Sequence, residues 1–205
     1  MAINKIINVT EGTDLYKEIK RNIDAKSEDD LIIVARAEIN RKADEISPVA
    51  VMNGIYFYVA YQLEIGLVFV EKYTPEQILK AAENTMNRAR FMTMPTLFED
   101  FASIFNNPMK KLSEMENFGV MNPLTCEGNQ NGAGILFCRE YLKAIREKIG
   151  DFYILPSSIH EILIVPNDGT IDINDLNTMV QDVNANEVSE NDYLADRAFT
   201  VDEWI

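Results

Sequence analysis

Apolar positions recur along the chain in two periods, and the switches between them mark the elements. Leu15, Ile19 and Ile23 lie at helical spacing behind the start signal Thr13-Asp14, which predicts a helix to about Asp24. Leu31-Ile32-Ile33-Val34 is a β-branched run and predicts a strand over 31–39. Ser27-x-x-Asp30 just before it also fits a helix cap. Residues 55–61 and 66–70, rich in aromatic and β-branched side chains, read as two paired strands. Thr74-Pro75-Glu76-Gln77 opens a helix to about Arg88, with threonine as cap, proline in the first turn and glutamine at the capping-box position. Thr96-x-x-Glu99 is a second such box, followed by an apolar face of Leu97, Phe98, Phe101 and Phe105 and ended by Asn107-Pro108.

The second half is organised around residues 151–166. Phe152–Leu155 and 162–165 are apolar at every position, the pattern of strands covered on both faces. With the strands taken as 152–156 and 161–166, four residues, 157–160, join them, a common hairpin loop length. A central hairpin over 152–166 follows, with its polar tip at one edge of the core. Before it, residues 120–125 predict a strand, in which Pro123 points to an edge or a bulge. Gly128-Asn129-Gln130-Asn131-Gly132 is a turn by composition, and Ile135-Leu136-Phe137 reads as a further strand. Arg139–Ile149 is an amphipathic helix with Tyr141, Leu142, Ile145 and Ile149 inward, stopped by Gly150. After the turn at Asp168-Gly169, Asp172 caps a helix to about Asn184, with Leu176, Met179, Val180 and Val183 facing the core. The tail from Glu187 shows no clear element beyond a short edge strand over 198–201. The expected class is α+β: a mainly antiparallel sheet with helices packed on it. Residues 31–205 are expected to form one domain with its core in 120–195, apart from an N-terminal segment, 1–30.

Composition narrows this picture. A chain of 205 residues buries roughly 70% of its unfolded surface and needs no staples. Residues 49–70 are apolar enough to raise a membrane span. Asn53, Gln62 and Glu64 interrupt them, and an acidic residue at a bilayer centre costs about 3 kcal/mol, so the strand reading is preferred. Met-Ala-Ile-Asn-Lys leads into no long apolar run, and two cysteines make no disulfide framework, so a cytoplasmic setting is expected. The net charge of −14 is uneven: residues 161–205 carry −10, and the first 160 only −4. Such a surface repels nucleic-acid phosphates, so no direct nucleic-acid binding is expected. It reads as a solvated face or as a surface for a protein with a basic patch, made by Asp175, Asp182, Glu187, Glu190, Asp192 and Asp196.

Motifs across the chain resemble those of a bacterial family, DUF5688. They are residues 151–166, Met179-Val180-Gln181-Asp182-Val183-Asn184, Asn131-Gly132-Ala133-Gly134 and Ala82-Glu83-Asn84-Thr85. The resemblance spans 31–205 and is firmest from 120 to 195. It implies the fold and a bacterial or phage source, and it implies no reaction.

Ser157, Ser158, His160 and Glu161 carry the groups of a hydrolytic site, serine as nucleophile and histidine as base. Residues so close in sequence share one turn, which seldom gives the required geometry, so a hydrogen-bonded turn is the simpler reading. Cys126, Cys138 and His160 have no zinc-site spacing and no evident fourth ligand, so no metal is expected. In a hairpin centred near Gln130 the two cysteines would stand roughly 16 Å apart, beyond disulfide reach. Gly128-x-x-x-Gly132 lacks the lysine and hydroxyl of a phosphate loop, and helical spacing alone accounts for the phenylalanine stripe. No cofactor is expected. The leading expectation is a non-enzymatic interaction protein of phage or mobile-element origin that binds a host protein through its acidic C-terminal face. A hydrolase centred on 157–161 is the alternative.

Overall fold

The computed structural model describes residues 13–40, 46–63, 66–92, 120–156 and 158–205. The expected helix behind Thr96, with its phenylalanine stripe, lies outside them.

Local signals place most elements where the pattern expects them. Helix α1 runs Asp14–Asp24, and the Thr13 side chain accepts the Tyr16 N–H at its start. Ile19 and Ile23 are buried, whereas Leu15 is half exposed. Strand β1 (Leu31–Arg36) follows a short 3-10 turn, Glu28–Asp30, in which Ser27 and Asp30 form a capping box. The cap signal and the strand signal are thus both realised, in succession. Strands β2 (Ala50–Met52), β3 (Ile55–Leu63) and β4 (Gly66–Phe69) complete an antiparallel sheet in which β3 pairs with the other three. Helix α2 (Pro75–Arg88) has the expected capping box, Thr74 with Gln77.

The second sheet is also antiparallel, in the order β5-β6-β8-β7-β9: β5 (Ala89–Phe91), β6 (Asn122–Cys126), β7 (Phe152–Leu155), β8 (Glu161–Pro166) and β9 (Phe199–Thr200). The central hairpin is present, with Tyr153 opposite Val165 and Ile154 opposite Ile164. Strand β7 is buried throughout, and β8 is the middle strand of five. Helix α3 (Arg139–Ile149) ends at Gly150, whose φ of 80° suits a glycine stop. Helix α4 (Ile173–Asn186) starts at Asp172, whose carboxylate accepts the Asn174 N–H.

Several expectations change, and the strand expected over 31–39 ends at Arg36, with a 3-10 turn at Glu38–Asn40. Residues 135–137 form no strand: Gly132–Phe137 is a 3-10 helix, closed by Gly134 N–H to Asn131 O and Cys138 N–H to Ile135 O. A short buried apolar run fits strand and helix alike, and here backbone crowding decides. Gly132 presses against Thr125, Cys126 and the His160 carbonyl, and Gly134 against the Ile33 carbonyl. With that strand goes the hairpin assumed around Gln130. Pro123 is not on an edge, since β6 pairs with both β5 and β8. Its missing donor falls where the β5 ladder ends: its carbonyl accepts the Met92 N–H, and no reciprocal bond is needed. Met179 is 38% exposed rather than inward.

The main core lies between the sheets. Ile33, Phe57 and Val59 from one meet Leu124, Ile154 and Ile164 from the other, with Leu136 of the 3-10 helix and Leu142 of α3. Helix α4 covers the opposite face of the second sheet, where Leu176 and Val180 pack on Tyr153, Leu155 and Val165. The hairpin is therefore enclosed from both sides, as its two-faced apolar pattern requires. Strand β1 is an edge strand whose free side is closed by α2. Thr85 Oγ1 accepts the Ile33 N–H at 2.8 Å, and Asn84 Nδ2 donates to the Leu31 carbonyl at 2.9 Å. Side chains thus take the backbone groups that an open edge would offer to another chain.

Candidate functional site

The polar tip of the central hairpin meets two distant segments. Ser158 Oγ accepts the His160 N–H at 3.0 Å, the local bond expected of a serine turn. The His160 ring reaches outward. Its Nδ1 accepts the Asn131 N–H at 3.3 Å, which leaves the ring proton on Nε2, facing Asp192 Oδ1 at 3.2 Å. The second Asp192 oxygen accepts the Ser189 hydroxyl at 2.8 Å. The His160 carbonyl accepts from Gly132 N–H and from Thr125 Oγ1, both at 2.8 Å, and Ile159 N–H donates to the Asp192 carbonyl. One histidine therefore ties the hairpin to the 3-10 helix and to the loop after α4.

That loop has a second anchor. Asn40 Nδ2 donates to the carbonyls of Asn191 at 3.1 Å and Tyr193 at 2.7 Å, while its Oδ1 accepts the Ala37 N–H. Arg36 lies beside it, 8% exposed, with its guanidinium 5.6 Å from the Phe69 ring centre and Nη1 donating to the Ala35 carbonyl. Burial pulls Arg36 down to about 10, while the nearby Asp192 carboxylate favours its charged form.

This geometry differs from that of an activated nucleophile. In a serine hydrolase one imidazole nitrogen accepts from the serine hydroxyl and the other donates to a carboxylate. Here the accepting nitrogen faces a backbone N–H, and Ser158 Oγ bonds the histidine backbone instead. Glu161 begins β8, opposite Thr125, and Ser157 lies outside the described residues. Among the described residues no three His, Cys, Asp or Glu side chains gather as a metal site. Cys126 and Cys138 are free and buried under α2, where their thiols bond the Thr85 and Ala82 carbonyls and not the His160 ring. A cleft beside Asn131, rimmed by Gln62, Arg88 and Gln130, has a volume of about 270 Å³ even with open solvent included. Small-molecule sites usually span about 300–1,000 Å³.

The six acidic candidates fall into two groups. Asp192 is held by His160 and Ser189 and belongs to the clasp. Asp175, Asp182, Glu187, Glu190 and Asp196 are exposed, and none has an ion-pair partner among the described residues. Elsewhere in the same acidic half, Asp202 pairs with Arg146 and Glu203 with Arg197. On α4, Asp175, Met179 and Asp182 follow at i, i+4 and i+7, so the exposed methionine sits between two carboxylates on one stripe. Asn131, Asn40, Asn84 and Thr85 hold the site and the edge strand. Two of the resembling motifs contain Asn131, Asn84 and Thr85, while nothing in the sequence marks Asn40.

No helix among the described residues is long and apolar enough to cross a membrane. Comparison with curated proteins and with solved structures found no match. A family does match, over residues 17–202, so the likeness takes in most of α1 as well as the segments whose motifs carry it. The asparagine and threonine motifs that close the β1 edge, the 3-10 helix that crosses between the sheets and the enclosed hairpin all lie within that span, and the chain belongs to the family of unknown function DUF5688.

Proposed function

We propose that this chain is a non-enzymatic interaction protein that binds the basic surface of a protein partner through the outer stripe of α4 and the loop after it. The setting we propose is the bacterial cytoplasm, with a phage or mobile-element origin. The observation that carries this reading is the set of exposed carboxylates without ion-pair partners among the described residues, with Met179 among them. Uncompensated charge of one sign raises the rate at which an oppositely charged surface arrives, and an exposed methionine adds adaptable apolar contact once it has. The clasp at His160 and Asn40 supports the reading by fixing the loop that presents Glu190.

Affinity capture from a bacterial lysate supplies the partner, and binding kinetics test the mechanism. Replacing Asp175, Asp182, Glu187, Glu190 and Asp196 with Asn or Gln should slow association about tenfold or more at low salt. The salt dependence should flatten, because screening over about 8–10 Å then has little left to screen. Thermal stability should stay nearly unchanged, since none of the five side chains is buried. Equal association rates for the two proteins at low and high salt would remove the acidic face from the mechanism.

A further inference from the structure

The chain contains two Asn-Gly pairs, Asn53-Gly54 and Asn131-Gly132. Both asparagines have positive φ, 52° and 56°. An asparagine followed by glycine is open to attack on its own side chain, because glycine leaves the following backbone nitrogen unhindered. Sequence alone makes the two pairs equivalent, and the structure separates them.

Asn131 is 4% exposed. The Gly132 N–H, which would have to attack, donates to the His160 carbonyl at 2.8 Å. The Gly132 backbone is packed against Thr125 and Cys126 so closely that even a methyl group would collide there. Asn53 is exposed in the turn between β2 and β3, and Gly54 has open space around it. The Asn53 side chain is also engaged, since its Nδ2 donates to the Glu203 carbonyl at 3.0 Å and so holds the C-terminal turn against the hairpin.

We propose that Asn53 is a site of spontaneous deamidation and that the reaction releases the C-terminal turn. The Gly54 backbone nitrogen attacks Asn53 Cγ, and a new N–Cγ bond forms. The Cγ–Nδ2 bond breaks, and Nδ2 leaves as ammonia with the proton that Gly54 gives up. Water then adds to one of the two carbonyls of the cyclic imide. One opening yields aspartate, and the other yields isoaspartate with an extra methylene in the main chain. Both products lose the Nδ2 donor: aspartate puts a carboxylate in its place facing the Glu203 carbonyl, and isoaspartate draws that carbon into the main chain. The Glu203 carboxylate nearby is already committed to Arg197 at 2.7 Å and to the Thr200 N–H at 2.9 Å. In the aspartate form two acceptors then face each other where a hydrogen bond had been, and in either form the turn carrying Trp204 loses its outer clamp.

The test is to incubate the full-length protein in mildly alkaline buffer and map its peptides by mass spectrometry. Asn53 should gain the mass of an amide-to-acid exchange while Asn131 keeps its amide; in denaturant both should convert. Asn53→Gln should not age at position 53. Asn53→Asp, made directly, should raise hydrogen exchange over residues 199–205 several-fold, as in the aged protein. Equal conversion of the two asparagines in the folded protein, or an Asn53 as durable as Asn131, would overturn the site. Unchanged exchange over 199–205 in Asn53→Asp would overturn the release.

Discussion

Cys126 donates its S–H to the Thr85 carbonyl at 3.8 Å, and Cys138 donates to the Ala82 carbonyl at 3.6 Å, one turn earlier on α2. Burial pushes each thiol up from 9.0 to about 12. A thiol held protonated in this way reacts poorly with alkylating reagents, because the thiolate is the nucleophile. The same shift sets a stability dependence. Folded and unfolded chains both keep the proton at neutral pH, so the contribution is fully present there. Above about 9 the unfolded chain ionises while the folded chain cannot, so stability falls as pH rises towards about 12. The buried Tyr141 phenol, pushed up by the same desolvation, adds to the loss above 10.0. Urea midpoints measured from neutral to alkaline pH should therefore decline, and the decline should be shallower in a Cys126→Ala, Cys138→Ala double variant. A profile as steep in that variant as in the parent would assign the loss to other groups.

Among the elements, α2 does two jobs at its C-terminal end. It shields the cysteines, and it supplies Thr85 and Asn84 to the free edge of β1. Thr85 is fully buried, and its hydroxyl both accepts from Ile33 N–H and donates to the Ala81 carbonyl. Thr85→Val keeps the shape and removes the acceptor, leaving the Ile33 N–H unsatisfied at about 1–3 kcal/mol. Urea unfolding of the variant measures that cost, and a change below a few tenths of a kcal/mol would show that the edge is closed in another way. The start of α2 was legible because Thr74, Pro75 and Gln77 act within one turn. The enclosed hairpin was legible for a similar reason, since a strand apolar at every position must be covered twice. The 3-10 helix was not, because what bends residues 132–137 is the approach of Ile33, Thr125 and His160 from remote parts of the chain. Met179 misled because helical spacing places it on the core stripe, whereas α4 turns only Leu176 and Val180 fully inward. The site followed the same rule. Ser158 bonding its own turn could be read locally, but the partners of His160, Asn131 and Asp192, lie about thirty residues to either side, a separation without periodicity.

At the scale of the whole molecule, the last seven residues join the two sheets. Strand β9 pairs with β7 of the second sheet, and Trp204 then packs on Phe57 of the first. Trp204 meets Phe57 edge-on at 6.3 Å and Phe199 at 5.5 Å, and it is 1% exposed. Both contacts have the edge-to-face geometry that favours aromatic pairs beyond their buried area. The core these rings close is shared by both sheets, so a defect here should loosen the whole molecule rather than the tail alone. Trp204→Ala should cost about 3–5 kcal/mol, the range for a large aromatic ring removed from a core. Trp204→Phe should cost much less. The indole Nε1 is buried without a hydrogen-bond partner among the described residues, so phenylalanine gives up volume but also removes an unsatisfied donor. Urea unfolding followed by circular dichroism, which works without the single tryptophan, measures both variants. The expected result is one cooperative transition for each protein, shifted far for alanine and little for phenylalanine. If alanine instead left the main transition in place and merely frayed residues 199–205 in hydrogen exchange, the tail would be an appendage on two sheets that hold each other without it.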